Sequence, residues 1–219
     1  MAETGTLHDA FIDELRDAYD AEKQLIKALP KLAKAATSEA LRDAFENHLA
    51  ETRDQVSRLE EVFSLLEEKA KGKHCDGIAG IIEEGKAVME EDFDEATMDA
   101  CLIASGQRAE HYEMAAYGTL VAWARALGHG DAADILEQIL EEEKAADEAL
   151  TALAEGGINQ EAADLSAPED DDQEEDEDGD EEAPAPPSAK SAKSAKGSKS
   201  GNSAASGRKG AVGSKTARR

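Results

Sequence analysis

Cysteine and aromatic residues are scarce in this 219-residue chain, and each shortage narrows its class. The only cysteines are Cys75 and Cys101, and no CxxC motif occurs. A disulfide framework is therefore not expected, and a reducing compartment, the cytoplasm, is the expected location. Aromatic residues make up 4% of the chain, whereas alanine, leucine, glutamate and lysine are prominent. That composition favours helices over sheets.

Positive charge and long apolar runs are also lacking. The formal net charge is -26, so the chain as a whole should repel nucleic acid and anionic membranes. It has no run of about 18 apolar residues, which is the length that a membrane-spanning helix needs. The first residues, MAETGTLHDAF, have neither a basic segment nor an apolar one, so we expect no signal peptide and no membrane partner.

The positions of the few prolines mark a change of composition along the chain. Four of the five follow residue 167, so we predict a folded domain over 1–165 and a disordered tail over 166–219. Residues 169–182 contain twelve acids in fourteen positions, and residues 188–219 contain nine Lys or Arg and no acid. Neither block can bury a core. The basic end suits non-specific, salt-dependent contact with DNA phosphates, and a solubilising flexible end is the alternative.

The remaining sequence predicts an all-α fold. Thr6 is the expected N-cap of the first helix, with Asp9 completing a capping box, and Pro30 is expected to kink that helix or end it early. Short turns join the long helices in two pairs, and a crossover with a short helix joins the pairs. This is the connectivity of a ferritin-like four-helix bundle. The four long helices are predicted at 7–36, 39–69, 95–127 and 132–155, and the short helix at 78–90.

Ionisable residues interrupt the apolar stripe of every long helix near its middle. Single interruptions of this kind are usually boundary residues, and a lone histidine is usually a hydrogen-bonded core residue. Four interruptions at matching depth are different, because the mid-points of antiparallel helices of similar length can meet at one level. The predicted site residues are Glu22 in the first helix, His48 and Glu51 in the second, Glu110 and Glu113 in the third, and Glu143 and Asp147 in the fourth.

A convergence of buried carboxylates requires a cation. Each buried carboxylate loses several kcal/mol of solvation, and roughly five of them would threaten a domain whose whole stability is ~5–15 kcal/mol. Carboxylate oxygens with one imidazole suit iron, with manganese as the other candidate, whereas zinc or cluster sites favour thiolates. Tyr117 lies on the same stripe, and three roles are considered for it: core filler, hydrogen-bond partner or electron donor. His111 and Tyr112 are predicted to lie on the surface.

Several segments resemble the YciE/YciF family of ferritin-like proteins over residues 5–157. They are LRDAYDAEKQLIKALPKL, FENHLAETRDQVSRLEEVF, CDGIAGIIEEG, GQRAEHYEMAAYGTLVAWARALG and LEEEKAADEALTALA. The resemblance implies a four-helix bundle with a dinuclear iron site, a ferroxidase-like activity and a homodimer. The wider di-iron pattern has Glu-x-x-His on two helices. Here the second helix reads His48 to Glu51 in the reverse order, and the fourth has no histidine.

These observations predict a function and an alternative. The first is oxidation of ferrous iron by oxygen or peroxide at a site of two iron ions, in stress response or iron homeostasis. Hard anionic ligands favour the ferric product, which gives such a reaction its direction. The alternative is a stress-related protein that binds metal without turnover and contacts DNA through its basic tail.

Overall fold

The computed structural model describes residues 5–166, and these form helices with no strand among them. The four long helices and the crossover helix lie close to their predicted positions. The α-helices are α1 (Leu7–Ala35), α2 (Glu39–Leu65), α3 (Asp76–Met89), α4 (Glu95–Leu127), α5 (Gly130–Leu153) and α6 (Asn159–Leu165), with a π-helical turn (Ala154–Ile158) before α6.

Local side-chain caps fix where three of the helices begin. The Thr6 side chain accepts a hydrogen bond from the Asp9 backbone, and the Asp9 carboxylate accepts one from the Thr6 backbone. The predicted capping box is therefore confirmed. Ser38 caps α2 and Asp94 caps α4 in the same way, each accepting from a backbone N–H three residues on. These contacts satisfy amides that have no partner within the helix.

The first helix ends close to its predicted position, whereas the second ends four residues earlier than predicted. Pro30 does not end α1, which continues to Ala35; Pro30 is exposed, so water can reach the carbonyl that its missing N–H leaves without a donor. The second helix ends at Leu65 rather than at residue 69. Glu67 adopts a left-handed φ of 57°, and the Glu68 N–H donates to the Phe63 carbonyl at 2.9 Å. A helix commonly closes this way, but usually with glycine in the left-handed position.

The end of the bundle also differs from the prediction. The fourth long helix was predicted to stop at the pair Gly156 and Gly157, and instead α5 passes into the π-helical turn there. Gly157 has a φ of 145°, which an L side chain rarely adopts. This turn allows the additional helix α6, which the sequence did not predict.

The long helices form two hairpins that pack together as a bundle. α1 pairs with α2, α4 pairs with α5, and the hairpins meet where α1 contacts α4 and α2 contacts α5. The crossover helix α3 packs on α1 and α4. The predicted ferritin-like four-helix architecture is confirmed by this arrangement together with the structural relatives described below.

Two apolar clusters fill the bundle, one on either side of its polar middle. The first includes Phe11, Leu15, Leu59, Leu120 and Leu136. The second includes Leu25, Phe45, Ile78, Leu102 and Leu150. Each fully buried side chain of this size contributes ~1.5–3 kcal/mol relative to the exposed state. The layer of buried glutamates and His48 lies at or near the change from one cluster to the other along each long helix, so apolar packing holds this layer from both ends.

Residues 5–166 contain no helix that is both long and apolar enough to cross a membrane. The acidic run and the basic end of the predicted tail lie outside the described residues. The boundary at residue 165, the disorder of the tail and its contact with DNA therefore stay predictions.

Asp99 ties the turn between α1 and α2 to α4. Its carboxylate is buried and accepts hydrogen bonds from the Thr37 N–H at 2.8 Å, the Thr37 hydroxyl at 2.7 Å and the Ser38 N–H at 2.7 Å. Replacement by alanine leaves these donors without that acceptor. We expect Asp99→Ala to lower the free energy of unfolding by about 2–3 kcal/mol, measured by urea denaturation. A loss below about 0.5 kcal/mol would show that the turn does not depend on this carboxylate.

Candidate metal centre

Three of the four long helices bring four potential metal ligands together. His48 comes from α2, Glu110 and Glu113 come from α4, and Glu143 comes from α5. One ligand atom from each lies within 4.8 Å of the others, and all four residues are buried. The two glutamates of α4 are three residues apart, so they project from neighbouring positions on one face. We call this group the Glu/His cluster.

His48 sits among the carboxylates. Its Nε2 atom lies 3.4 Å from Oε1 of Glu110 and 3.8 Å from Oε2 of Glu143. The side chain of Glu143 is fully buried, and those of His48 and Glu110 are 7% and 3% exposed. Such groups interact strongly because little water screens them.

Glu22 adds the carboxylate of the remaining long helix, α1. It is 1% exposed, and one of its oxygens accepts a hydrogen bond from the Tyr117 hydroxyl. Tyr117 is itself buried on α4. This contact makes Tyr117 a hydrogen-bond partner of the site, which is one of the three roles considered for it from the sequence.

Gln55 belongs to the site but was not predicted. It is fully buried on α2, and its amide nitrogen donates to Glu143 at 2.5 Å and to Glu142 at 3.1 Å. Gln55 lies seven residues after His48, which is two turns along the same helix face. Its apolar neighbour in the sequence, Val56, is only half-buried. The seven-residue spacing from His48 was the signal that could have found it.

The cluster contains more polar atoms than the protein satisfies. Buried polar atoms normally have a hydrogen-bond partner, and each exception requires an explanation. Here one oxygen of Glu22 and of each cluster glutamate, and one nitrogen of the histidine, have none. These atoms are Oε2 of Glu22, Glu110, Glu113 and Glu143, and Nδ1 of His48, and Oε1 of the neighbouring Gln55 is also unpaired. A metal ion that accepts lone pairs from several oxygens would satisfy the four carboxylates together, so the residues present fit a bound cation.

Burial and neighbouring charges shift the pKa values of Glu22 and of all members of the Glu/His cluster. Burial, and next the charge of Glu143, raise the pKa of Glu22 to about 8. Burial also raises the pKa values of Glu110, Glu113 and Glu143. For His48, burial by itself would lower the pKa, but the facing carboxylate of Glu110 and the contact with Glu51 raise it to about 9. Without a cation, several of these carboxylates must therefore hold protons near neutral pH.

Two predicted site residues lie outside the Glu/His cluster. The Glu51 side chain is 51% exposed, with Oε2 lying 3.6 Å from Nδ1 of His48. Asp147 is directed toward α4, where Oδ1 accepts from the Gln107 amide at 3.2 Å and lies 3.3 Å from Nε2 of His111. The structure thus gathers Glu22, His48, Glu110, Glu113 and Glu143 and leaves these two at the periphery. Their role as ligands stays a prediction.

The prediction that Tyr112 lies on the surface was wrong, whereas His111 is exposed as predicted. Tyr112 is half-buried beneath α3, and its hydroxyl donates to Asp17 at 3.1 Å and lies 3.0 Å from Sγ of Cys75. A Cβ at Gly77 would come within 2.5 Å of the Tyr112 ring. The crossover helix therefore covers a face of α4 that looked solvent-exposed when only the four long helices were considered.

A family comparison places nearly all of the described residues in one family. Residues 6–163 match the model of DUF892, a domain of unknown function. Protein YciF of Escherichia coli (strain K12) is 46% identical over 158 residues, which cover 72% of this chain and 95% of the relative.

Solved structures agree with this assignment. The crystal structure of the E. coli stress protein YciF covers 72% of this chain and 99% of its own, with a TM-score of 0.69 and 45% identity. YcfI from Rhodopseudomonas palustris covers 68% and 96%, with a TM-score of 0.67 and 43% identity. A protein from Xanthomonas campestris pv. campestris, at 23% identity and a TM-score of 0.57, shares the fold. The chain therefore belongs to the DUF892 family and is a relative of E. coli YciF, as its resemblance to the YciE/YciF proteins predicted.

Proposed function

We propose that the Glu/His cluster, together with Glu22, binds two iron ions, and that the protein oxidises ferrous iron with oxygen or peroxide. The observation that carries this proposal is the set of unpaired buried oxygens, because four carboxylates each have an unsatisfied oxygen in one buried layer, and Nε2 of His48 faces two of these carboxylates. A structural network would be expected to satisfy its own atoms. Carboxylate oxygens with one imidazole suit iron, and manganese is the closest substitute.

Ferrous iron is the substrate in this proposal. Two ferrous ions lose one electron each, and one peroxide molecule takes up the two electrons and two protons to become two water molecules. The chain contributes the binding site. Its carboxylates are hard, anionic ligands that stabilise the ferric product more than the ferrous substrate. The hydrogen bonds from Gln55 to Glu143 and from Tyr117 to Glu22 fix the orientation of two of these carboxylates, as outer partners do in metal sites.

Replacement of Glu113 by glutamine tests the proposal. Glutamine keeps the size of the side chain but removes an anionic ligand, so we expect Glu113→Gln to lower ferrous iron affinity and the initial oxidation rate by about tenfold or more. The rate is measured from ferric absorbance after ferrous iron is added to anaerobically purified protein, followed by oxygen or peroxide. Glu148→Gln is the matched control, because Glu148 is exposed on α5. Equal rates in the two variants would contradict the proposal.

The second candidate function is metal binding without turnover in a stress-related protein. It is favoured by the description of E. coli YciF as a stress protein and by the buried position of the cluster, where a metal ion would also stabilise the fold. This function predicts tight, stoichiometric metal and a melting temperature that falls on chelation, without ferrous oxidation above the rate of free iron. The homodimer that the family resemblance implies stays a prediction for either function.

DNA contact through residues 188–219 belongs to this second candidate. Its nine basic residues and lack of acids suit phosphate binding whose affinity falls with added salt. The test compares the full chain with a chain that ends at residue 187, using duplex DNA at low and moderate salt. DNA binding that survives removal of residues 188–219 would refute this role.

A further inference from the structure

The two grooves between the hairpins of the bundle differ. α3 packs on both α1 and α4, and so covers the groove between them. The opposite groove, between α2 and α5, contains a cavity of about 640 Å³. Its lining residues come from α2 and α5, with Glu110 of α4 as the only contribution from a third helix. We call this cavity the α2–α5 groove.

Small side chains keep the α2–α5 groove open. Six of its fourteen lining residues are alanines, whose methyl groups neither fill the space nor offer a ligand to a passing ion. The volume corresponds to on the order of twenty water molecules, which is room for a hydrated divalent cation. The lining alanines are Ala40, Ala44, Ala145, Ala146, Ala149 and Ala152.

The groove reaches the metal centre. His48 and Glu110 both line it, and both are more than nine-tenths buried. Each also carries a polar atom with no partner, Nδ1 of His48 and Oε2 of Glu110. The buried polar part of the groove is therefore formed by two members of the Glu/His cluster.

Acidic side chains line the outer part of the same groove. Asp43 and Glu51 are exposed residues of its lining. Glu51 contacts both solvent and the Glu/His cluster, because its side chain is 51% exposed while its Oε2 lies 3.6 Å from Nδ1 of the buried His48. Carboxylate groups thus extend from the exposed lip of the groove to the buried cluster, and the exposed ones provide the negative charge that concentrates cations and speeds their association.

We propose that the α2–α5 groove is the entrance for divalent metal ions, and that Glu51 is the first carboxylate that binds an incoming ion and transfers it to the Glu/His cluster. This inference rests on the proposed metal binding of the cluster. It assigns Glu51, whose position is peripheral, to the delivery of the ion rather than to its final coordination. It also gives the small residues of α5 a role, because a larger side chain there would obstruct the route.

The test measures how fast Co²⁺ enters the metal-free protein. Bound Co²⁺ absorbs visible light and is not oxidised when no oxidant is added, so the rate of metal entry is measured without any contribution from turnover. We expect Ala146→Phe, which narrows the groove, to slow Co²⁺ binding about tenfold or more in a stopped-flow experiment while the final amount bound per chain stays the same. The matched control is Ala122→Phe, an exposed alanine on α4 outside the groove, which should bind at the unmodified rate.

A second variant keeps the proposal testable if Ala146→Phe fails to fold. Glu51→Gln should slow Co²⁺ binding several-fold and weaken the dependence of the rate on salt, with unchanged final stoichiometry. Its control is Glu46→Gln, an exposed glutamate on α2 that does not line the groove.

The possible outcomes distinguish failure of the proposed entrance from failure of the metal centre. Unmodified rates in both groove variants would overturn the entrance while leaving metal binding intact. A lower final stoichiometry in Glu51→Gln would overturn the delivery role, because it would make Glu51 a permanent ligand. Failure of the unmodified protein to bind Co²⁺ at all would overturn the metal centre itself and the entrance with it.

Discussion

Metal-free protein should lose several kcal/mol of stability as the pH rises from about 5 to about 9. Burial and the charge of Glu143 raise the pKa of Glu22 from 4.5 to about 8, so the folded state holds a proton there that the unfolded state has already released. Facing carboxylates raise the pKa of His48 from 6.5 to about 9 despite its burial. The stabilising contribution of His48 is therefore complete below about 6.5 and is lost as the pH rises through 9.

Both groups change stability in the same direction, because the folded state binds more protons than the unfolded state throughout this window. Each extra proton lowers the free energy of unfolding by about 1.4 kcal/mol per pH unit. Urea denaturation with a chelator at several pH values measures the loss. Added Mn²⁺ should reverse the trend, because a cation replaces the protons and its affinity increases as they leave.

Glu22→Gln is the control for this pH dependence. Glutamine cannot titrate, so the slope should flatten, whereas the general repulsion within a chain of net charge -26 remains. A metal-free protein whose stability is flat from about pH 5 to 9, or equal slopes in Glu22→Gln and the unmodified chain, would contradict the assignment of strained carboxylates to this layer.

Glu113→Leu should stabilise the metal-free protein while abolishing its response to metal. Glu113 is 2% exposed, its Oε2 has no hydrogen-bond partner, and burial raises its pKa. Leucine has a similar volume and needs no partner. Replacement of buried ionic groups by apolar ones is often neutral or stabilising by about 1–4 kcal/mol, and we expect a gain in this range at neutral pH from urea denaturation with a chelator.

A gain in metal-free stability together with a lost response to metal would identify Glu113 as a metal ligand. A residue retained for function is commonly unfavourable for stability, so the variant should unfold at higher urea without metal and show no shift when Mn²⁺ is added. Glu148→Leu, at an exposed position of α5, should change neither property by more than about 0.5 kcal/mol. A strongly destabilised Glu113→Leu protein would show instead that the carboxylate is satisfied by its protein neighbours.

The bundle was predictable because its signals are local. A capping box at Thr6 and Asp9, apolar stripes with a helical period and one long crossover each have a direct physical meaning. The errors occurred where an unusual backbone conformation determines where a helix ends. Glu67 ends α2 in a left-handed conformation that glycine usually adopts, and the π-helical turn at Ala154–Ile158 leads into α6 instead of stopping the chain.

The layer of the candidate site was predictable, but not the partners of each side chain. The interrupted stripes indicated Glu22, His48, Glu110 and Glu143, and all four are buried in the structure. Which rotamer a residue adopts depends on the neighbouring helix, and helical periodicity alone does not contain that information.

Three residues around the Glu/His cluster illustrate this limit. Asp147 lies one turn from Glu143 yet contacts Gln107 and His111. Gln55 is polar but uncharged, so it did not attract attention as a site residue, although it orients Glu143. Tyr112 lies beside Glu113 in sequence, but it contacts Cys75, whose position depends on the crossover.

Ferrous iron titration of chelator-treated protein under anaerobic conditions tests the central claim most directly. A dinuclear site predicts that two ions bind per chain, that protons are released as they bind because the cluster is protonated beforehand, and that Glu113→Gln loses most of this binding. Iron that fails to bind, or that binds equally well to Glu113→Gln and to the unmodified chain, would contradict a metal centre built from the Glu/His cluster.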